Sequence, residues 1–272
     1  MKKVVHIVEV MKSMHGLDIS MYESSFLQKS IEKRITLLNL TDAGDFEHLL
    51  SENKEEANAL LGSLNICYSE FFRNPLSFAL LEQMILPRII EDKPENSEIR
   101  IWSAGCAAGQ EAFSIAMVLD DLIRRKEKNI RFRIFGTDIS VKAIEKAGRG
   151  VYDASEVQNI SLKMISQYFT RQGESYVISQ NLKDCIDFSH DDLLDPRSVS
   201  PSKSIYGDFD LICCSNILFY YKPEIRQMIL SKLYISLSPK GYLITGEAER
   251  EIVAKFKFRP VMLPAAIFQK TR

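Results

Sequence analysis

The sequence predicts an α/β protein with a doubly wound, mostly parallel sheet, a small all-helical N-terminal domain and a small antiparallel β insertion. Three observations carry this. Residues Glu98 to Met117 begin as a strand rich in Ile and Trp, pass through Ala104, Gly105, Ala107, Ala108 and Gly109, and run into an apolar helix. A second strand, Arg131 to Asp138, ends in an acid. Phe209 to Cys214 is a nearly continuous apolar run, as a strand buried on both faces should be, and Ser215-Asn216 closes it with polar side chains.

The remaining elements follow in chain order. Residues 1 to about 75 carry helical periodicity, with Leu27, Ile31 and Ile35 recurring every four residues beside Phe26. Lys29, Lys33 and Arg34 lie elsewhere on that helix, either as a solvated basic face or as a surface for an acidic helical partner. Thr41-Asp42-Ala43-Gly44-Asp45 marks a turn, with Asp45 expected to cap a helix through about Ser51; another helix is expected over Glu55 to Leu64. In Asn65-Ile66-Cys67-Tyr68-Ser69-Glu70-Phe71-Phe72-Arg73-Asn74-Pro75, paired aromatics precede an arginine placed to clamp a carboxylate. Leu76 to Ile90 reads as a helix with Pro87 near its end.

After the Glu98–Met117 unit and the Arg131–Asp138 strand, the α/β rhythm is interrupted. Tyr168 to Ile178 reads as a hairpin turning at Gln172-Gly173-Glu174, within an insertion of about residues 168–185, and a strand is expected at Ile186 to Ser189. Pro223 to Ser236 is an amphipathic helix closed by Ser238-Pro239-Lys240-Gly241. The strand Tyr242 to Gly246 follows, and then an antiparallel pair at Phe256 to Val261 and Ala266 to Gln269. The expected domains are 1–75, helical, and 76–272, α/β.

Composition narrows the function. With 272 residues and 46% apolar content, the chain can build a sizeable core. A formal net charge of −1 gives no sign of a nucleic-acid surface. Five cysteines without metal-ligand spacing read as buried thiols of a reducing compartment, and no apolar run approaches the length of a membrane span, so a cytoplasmic location is expected. The four histidines form no triad or ligand spacing, and no metal role is assigned.

The turn after the first strand is where an open α/β sheet holds a nucleotide-like ligand, on small residues and helix amides. A dinucleotide fingerprint asks for G-x-G-x-x-G, and from Gly105 those positions hold Gly105, Ala107 and Gln110, so a single-nucleoside cofactor fits better. Asp138, at the end of the second strand, is placed to accept ribose hydroxyls or to cap the helix beginning at Ser140.

Four separated stretches then agree: Tyr68-Ser69-Glu70-Phe71-Phe72-Arg73, the S-A-G-C-A-A-G-Q-E turn, F-G-T-D-I-S, and C-S-N-I-L-F-Y-Y. Together they resemble the chemotaxis receptor methyltransferases of the CheR type, over roughly residues 10 to 270. The resemblance implies a Rossmann-like methyltransferase sheet and S-adenosylmethionine as donor, with S-adenosylhomocysteine as product. It implies glutamates on the cytoplasmic helices of a methyl-accepting receptor as substrate, with other chemotaxis signalling proteins as further partners. The family's asparagine and threonine before F-F-R correspond to Cys67 and Ser69, and Arg73 matches. The family's G-E-E-P-Y-S becomes Gly109-Gln110-Glu111-Ala112-Phe113-Ser114, which keeps the second acid, so Glu111 is expected on the donor's amino-acid portion beside Ala104 and Gly105. Asp138 matches the ribose acid, and Asp192-Leu193-Leu194 stands for the N-L-L near adenine. In C-R-N-V-x-I-Y-F, Asn216 and Tyr220 match while Ser215 replaces the arginine. The resemblance implies Arg73 and Tyr220 as the catalytic pair. The hairpin at Gly173 lacks the glycine-bearing extension of members that tether to a receptor's C-terminal pentapeptide.

Three other readings compete: a cofactor-binding module without catalysis, suggested by Cys67, Gln110, Ala112 and Ser215; a small-molecule O-methyltransferase; and an NAD-dependent oxidoreductase, which the glycine pattern disfavours.

Overall fold

The computed structural model describes residues 2–262 and 265–271. These form two compact units, Met1–Ile66 with Phe219–Arg226, and Cys67–Leu218 with Gln227–Arg272. The helical unit thus ends nearer 66 than the expected 75, and residues 219–226 belong to it as well.

In the first unit, helices Lys2–His15, Ser24–Leu37, Ala43–Glu52 and Lys54–Leu64 bury Ile7, Met11, Leu27, Ile31, Phe46, Leu50 and Leu60. Asp42, rather than the expected Asp45, caps the third helix. Its extended backbone lets its carboxylate accept from the N–H groups of Gly44 and Asp45. Arg34 is not part of a solvated basic face, because its Nε and Nη2 donate to the buried carboxylate of Glu56 at 2.8 and 2.5 Å. Lys29 and Lys33 stay exposed. Residues 219–226 join this unit through Tyr221 stacked on Tyr22 at 5.1 Å and Tyr220 against Phe26 at 4.6 Å. The Tyr220 carbonyl also accepts from the N–H of Glu23.

Among the described residues the second unit has ten strands: β1 Glu98–Ala104, β2 Arg131–Asp138, β3 Val151–Asp153, β4 Phe169–Gln172, β5 Ser175–Ile178, β6 Ile186–His190, β7 Phe209–Cys214, β8 Leu237–Thr245, β9 Phe258–Pro260 and β10 Ile267–Lys270. Seven make one sheet in the order β6-β2-β1-β7-β8-β10-β9. β6, β2, β1, β7 and β8 run parallel, and β10 and β9 close the edge antiparallel. The central strands are apolar on both faces, and the helix Gln110–Lys126 is buried along most of its length. Trp102, the sole tryptophan, is 3% exposed in β1; its indole N–H donates to Thr137 Oγ1 at 2.9 Å, and its ring tilts against Phe209.

Three details depart from the expectations. The helix predicted over 76–90 is Pro75–Leu80 and Leu86–Asp92 joined by one wide π turn, Leu81–Ile85, because Pro87 has no N–H for the carbonyl a turn behind it. The hairpin of β4 and β5 pairs with β3, so the three-stranded insertion, ordered β3-β5-β4, begins near 151 rather than 168. Ser238-Pro239-Lys240-Gly241 lies within β8, whose register against β7 shifts between Phe209 and Leu211. Among the described residues no helix is long and apolar enough to cross a membrane.

Candidate functional site

The parallel order gathers the carboxyl ends of β6, β2, β1, β7 and β8 along one edge of the sheet, where open α/β sheets place ligands. After β1 the backbone turns through left-handed conformations at Gly105, Ala107 and Gly109, with φ of 70°, 46° and 88°. The N–H groups of Gly105 and Cys106 both donate to the Thr137 carbonyl, tying the turn to β2. A side chain at Gly105 would also strike Ile217, since a Cβ there would lie 2.1 Å from its Cδ1.

Asp138 fastens the far side of this turn. Its Oδ2 accepts from the Ala107 N–H at 2.9 Å and its Oδ1 from the Ser140 N–H at 2.8 Å. Burial raises its pKa, while these backbone donors oppose the shift by favouring the carboxylate. The cap of the next helix, Val141–Arg149, is Ser140. Asp138 therefore supports the turn.

Glu111 stands in the first turn of the helix after β1 and is the central acid of the site. Ser103 Oγ donates to its Oε1 at 2.7 Å, and the Ser215 hydroxyl, at the end of β7, also hydrogen-bonds it. Burial raises its pKa; the two serines and the charge of Arg73 pull the other way. Arg73 follows Phe72, whose positive φ of 52° is held where its N–H donates to Ser114 Oγ at 3.1 Å. Phe71 anchors this segment in the core against Tyr152 and Phe169. The Arg73 guanidinium lies 5.1 Å from the ring centre of Tyr68.

One pocket is lined by Ser69, Arg73, Gly105, Glu111, Ser215 and Asn216, which lie in three separate stretches of the sequence. Cys67 lies outside it, in a neighbouring groove with Gln110, Ser140 and Lys146. Ala104 is buried under the turn. Asp192 is exposed after β6, its Oδ1 accepting from the Leu194 N–H, and the Leu193 carbonyl accepts from Lys232. Neither lines the pocket of Arg73 and Glu111. Tyr220 belongs to the helical unit, packed on Phe26 and Phe219.

Sequence reasoning missed Glu249, which is fully buried. Its Oε2 accepts from the N–H groups of Gly246 and Asn216, both at 2.8 Å, and its Oε1 from those of Ile217 and Leu218, both at 2.6 Å. These four bonds fix the chain where β7 ends and hold Asn216 at φ 62°. The available signal was an acid three residues after the glycine that follows β8.

The arrangement matches a zwitterionic amino-acid group. Glu111 is a half-buried carboxylate held by Ser103 and able to take an ammonium, and Arg73 offers a guanidinium to a carboxylate on the same pocket wall. Beside them lies the turn of small residues at Gly105, Ala107 and Gly109, which lets a nucleoside approach the backbone closely. Sheet and site together define the class of S-adenosylmethionine-dependent methyltransferases. Residues 68–266 match the family model described as CheR methyltransferase, SAM binding domain, and the chain belongs to that family.

Among its relatives, the chemotaxis protein methyltransferase of Escherichia coli (strain K12) is 30% identical over 240 residues, 86% of this chain and 79% of that protein. That of Borreliella burgdorferi is 25% identical over 248 residues, 89% of this chain and 86% of that protein. An uncharacterized 104.1 kDa protein of Rhodobacter capsulatus is 27% identical over 270 residues, which cover 99% of this chain and only 27% of that protein.

Proposed function

We propose that this protein transfers a methyl group from S-adenosylmethionine to glutamate side chains on the cytoplasmic helices of a chemoreceptor-like protein, without tethering to a receptor tail. The observation that carries this reading is the convergence of Arg73, Glu111, Ser215 and Asn216 on one pocket beside the Gly105 turn. Glu111 takes the ammonium of the donor, Arg73 a carboxylate, and Asp138 keeps the turn in place under the ribose. Cys67, Asp192 and Leu193 border the adenosine.

Bound S-adenosylmethionine supplies an electrophilic methyl group on a sulfonium. The acceptor carboxylate oxygen forms the new bond to that carbon while the carbon–sulfur bond breaks with its electron pair going to sulfur, leaving S-adenosylhomocysteine and a methyl ester. No general base is required, since a glutamate of ordinary pKa near 4.3 is ionised at neutral pH. What the chain contributes is orientation and a dry pocket, and alignment of this kind is worth roughly 7–11 kcal/mol in favourable systems. The two-residue turn at Gly173-Glu174 between β4 and β5 is compact, which supports action without a tether.

The test is incubation with methyl-tritiated donor and purified cytoplasmic fragments of receptors from the same source, reading base-labile methanol. Labelled methanol from receptor glutamates is the expected result. A second reading, a cofactor-binding signalling module in a cytoplasmic chemotaxis assembly, is favoured by Ser215, whose hydroxyl bonds Glu111 where the family carries an arginine. It would be supported if S-adenosylhomocysteine raised Tm while no receptor fragment gained label.

A further inference from the structure

Ser77 is the third residue of the helix Pro75–Leu80, is 4% exposed, and lines the pocket of Arg73 and Glu111. Its Oγ has no hydrogen-bond partner among the described residues. Other helical hydroxyls of this chain do find one. Those of Ser13, Thr36, Ser114, Ser231 and Ser236 each donate to the carbonyl four residues back, at 2.7 to 2.9 Å. Ser77 sits too early in its helix for that outlet, because the residue four back is Arg73, before the helix begins.

A buried hydroxyl left unpaired is costly, and such groups persist where something else completes them. Phe78, Leu81, Ile115 and Ile244 on the pocket wall offer the hydroxyl no acceptor. On the same wall, Arg73 offers a guanidinium and Glu111 a carboxylate. A hydroxyl grouped with a guanidinium makes a donor set for an anion, while Glu111 is the matching place for a cation.

We propose that Ser77 Oγ donates to the α-carboxylate at the amino-acid end of S-adenosylmethionine, sharing it with Arg73, while Glu111 holds the α-ammonium. This assignment rests on the proposed cofactor reading and names a contact that lies outside the four matched motifs.

Isothermal titration of wild type and Ser77→Ala with S-adenosylhomocysteine and with 5′-methylthioadenosine separates the possibilities, because the second ligand lacks the amino-acid end. The expected result is S-adenosylhomocysteine binding about tenfold weaker in the variant, the order expected for losing a hydrogen bond to a charged group. Binding of 5′-methylthioadenosine stays at its wild-type value, and the Tm of the free variant is equal or higher. Equal S-adenosylhomocysteine affinity in the two proteins would overturn the assignment, as would parallel weakening of both ligands, which marks a structural role. Failure of wild type to bind S-adenosylhomocysteine would instead overturn the cofactor reading on which the assignment stands.

Discussion

Glu249 accepts the backbone N–H of Asn216 at 2.8 Å from a fully buried position, joining the segment after β8 to the end of β7. Only the ionised carboxylate has acceptor capacity for all four of its N–H partners at once. Glu249→Gln turns an amide toward those donors and leaves some unsatisfied. The expected result is a loss of about 3 kcal/mol of stability, read by urea unfolding, together with weaker S-adenosylhomocysteine binding. Unchanged stability would mean that the segment Asn216–Leu218 is held by other contacts.

Glu111 yields a pH-dependent prediction. Burial raises its folded pKa above the ordinary 4.5, against the pull of Ser103, Ser215 and Arg73. A raised carboxyl pKa contributes stability that is fully present below the unfolded value and is lost as pH rises through the folded one. Glu111→Gln is neutral throughout, so its Tm should gain on wild type as pH rises above the ordinary value of 4.5. The same variant should lose S-adenosylhomocysteine binding. A Tm difference that stays flat with pH would show that the charge of Glu111 is fully compensated in the fold.

Arg73 is exposed and packs on Tyr68, which is itself 58% exposed, so its removal should cost the fold little. Arg73→Ala should keep its Tm within a degree or two of wild type while methyl transfer falls by at least about 100-fold, the scale for deleting one oriented donor. Arg73→Lys should recover little, because an ammonium cannot reproduce a two-pronged contact. Turnover at the wild-type rate in Arg73→Ala would remove this residue from the site.

The β4–β5 turn has two residues, and Gly173 has φ of 61° with open space within 4 Å of where a Cβ would stand. Titration with a receptor C-terminal pentapeptide should give no measurable binding. Micromolar affinity would show that another surface performs tethering.

The legible parts of this protein were those written in local pattern. The run from Glu98 to Met117 announced strand, turn and helix through its small residues, and the apolar stretch Phe209–Cys214 reads as a strand buried on both faces. Asp138 and the pair Ser215-Asn216 were found because strand ends are marked by the change from apolar to polar. What was missed depends on contacts between distant segments. Glu249 looks like any surface acid until the chain after β8 folds back on residues 216–218. Ser77 looks like an ordinary helical serine until the beginning of its helix is known. Arg34 sits on an apparently basic face, and only the approach of the Lys54–Leu64 helix gives it Glu56. The π turn before Pro87 follows from a missing amide whose consequence falls a turn earlier in the chain.

Trp102, the chain's sole tryptophan, sits between Thr137 and Phe209 in the second compact unit, and the helical unit has none. Intrinsic fluorescence excited at the indole band is therefore a one-unit probe: it follows the sheet and is blind to the four N-terminal helices. Circular dichroism is weighted toward helices, so a denaturation series recorded in both signals would separate into two curves if the units melt independently and coincide if they melt together.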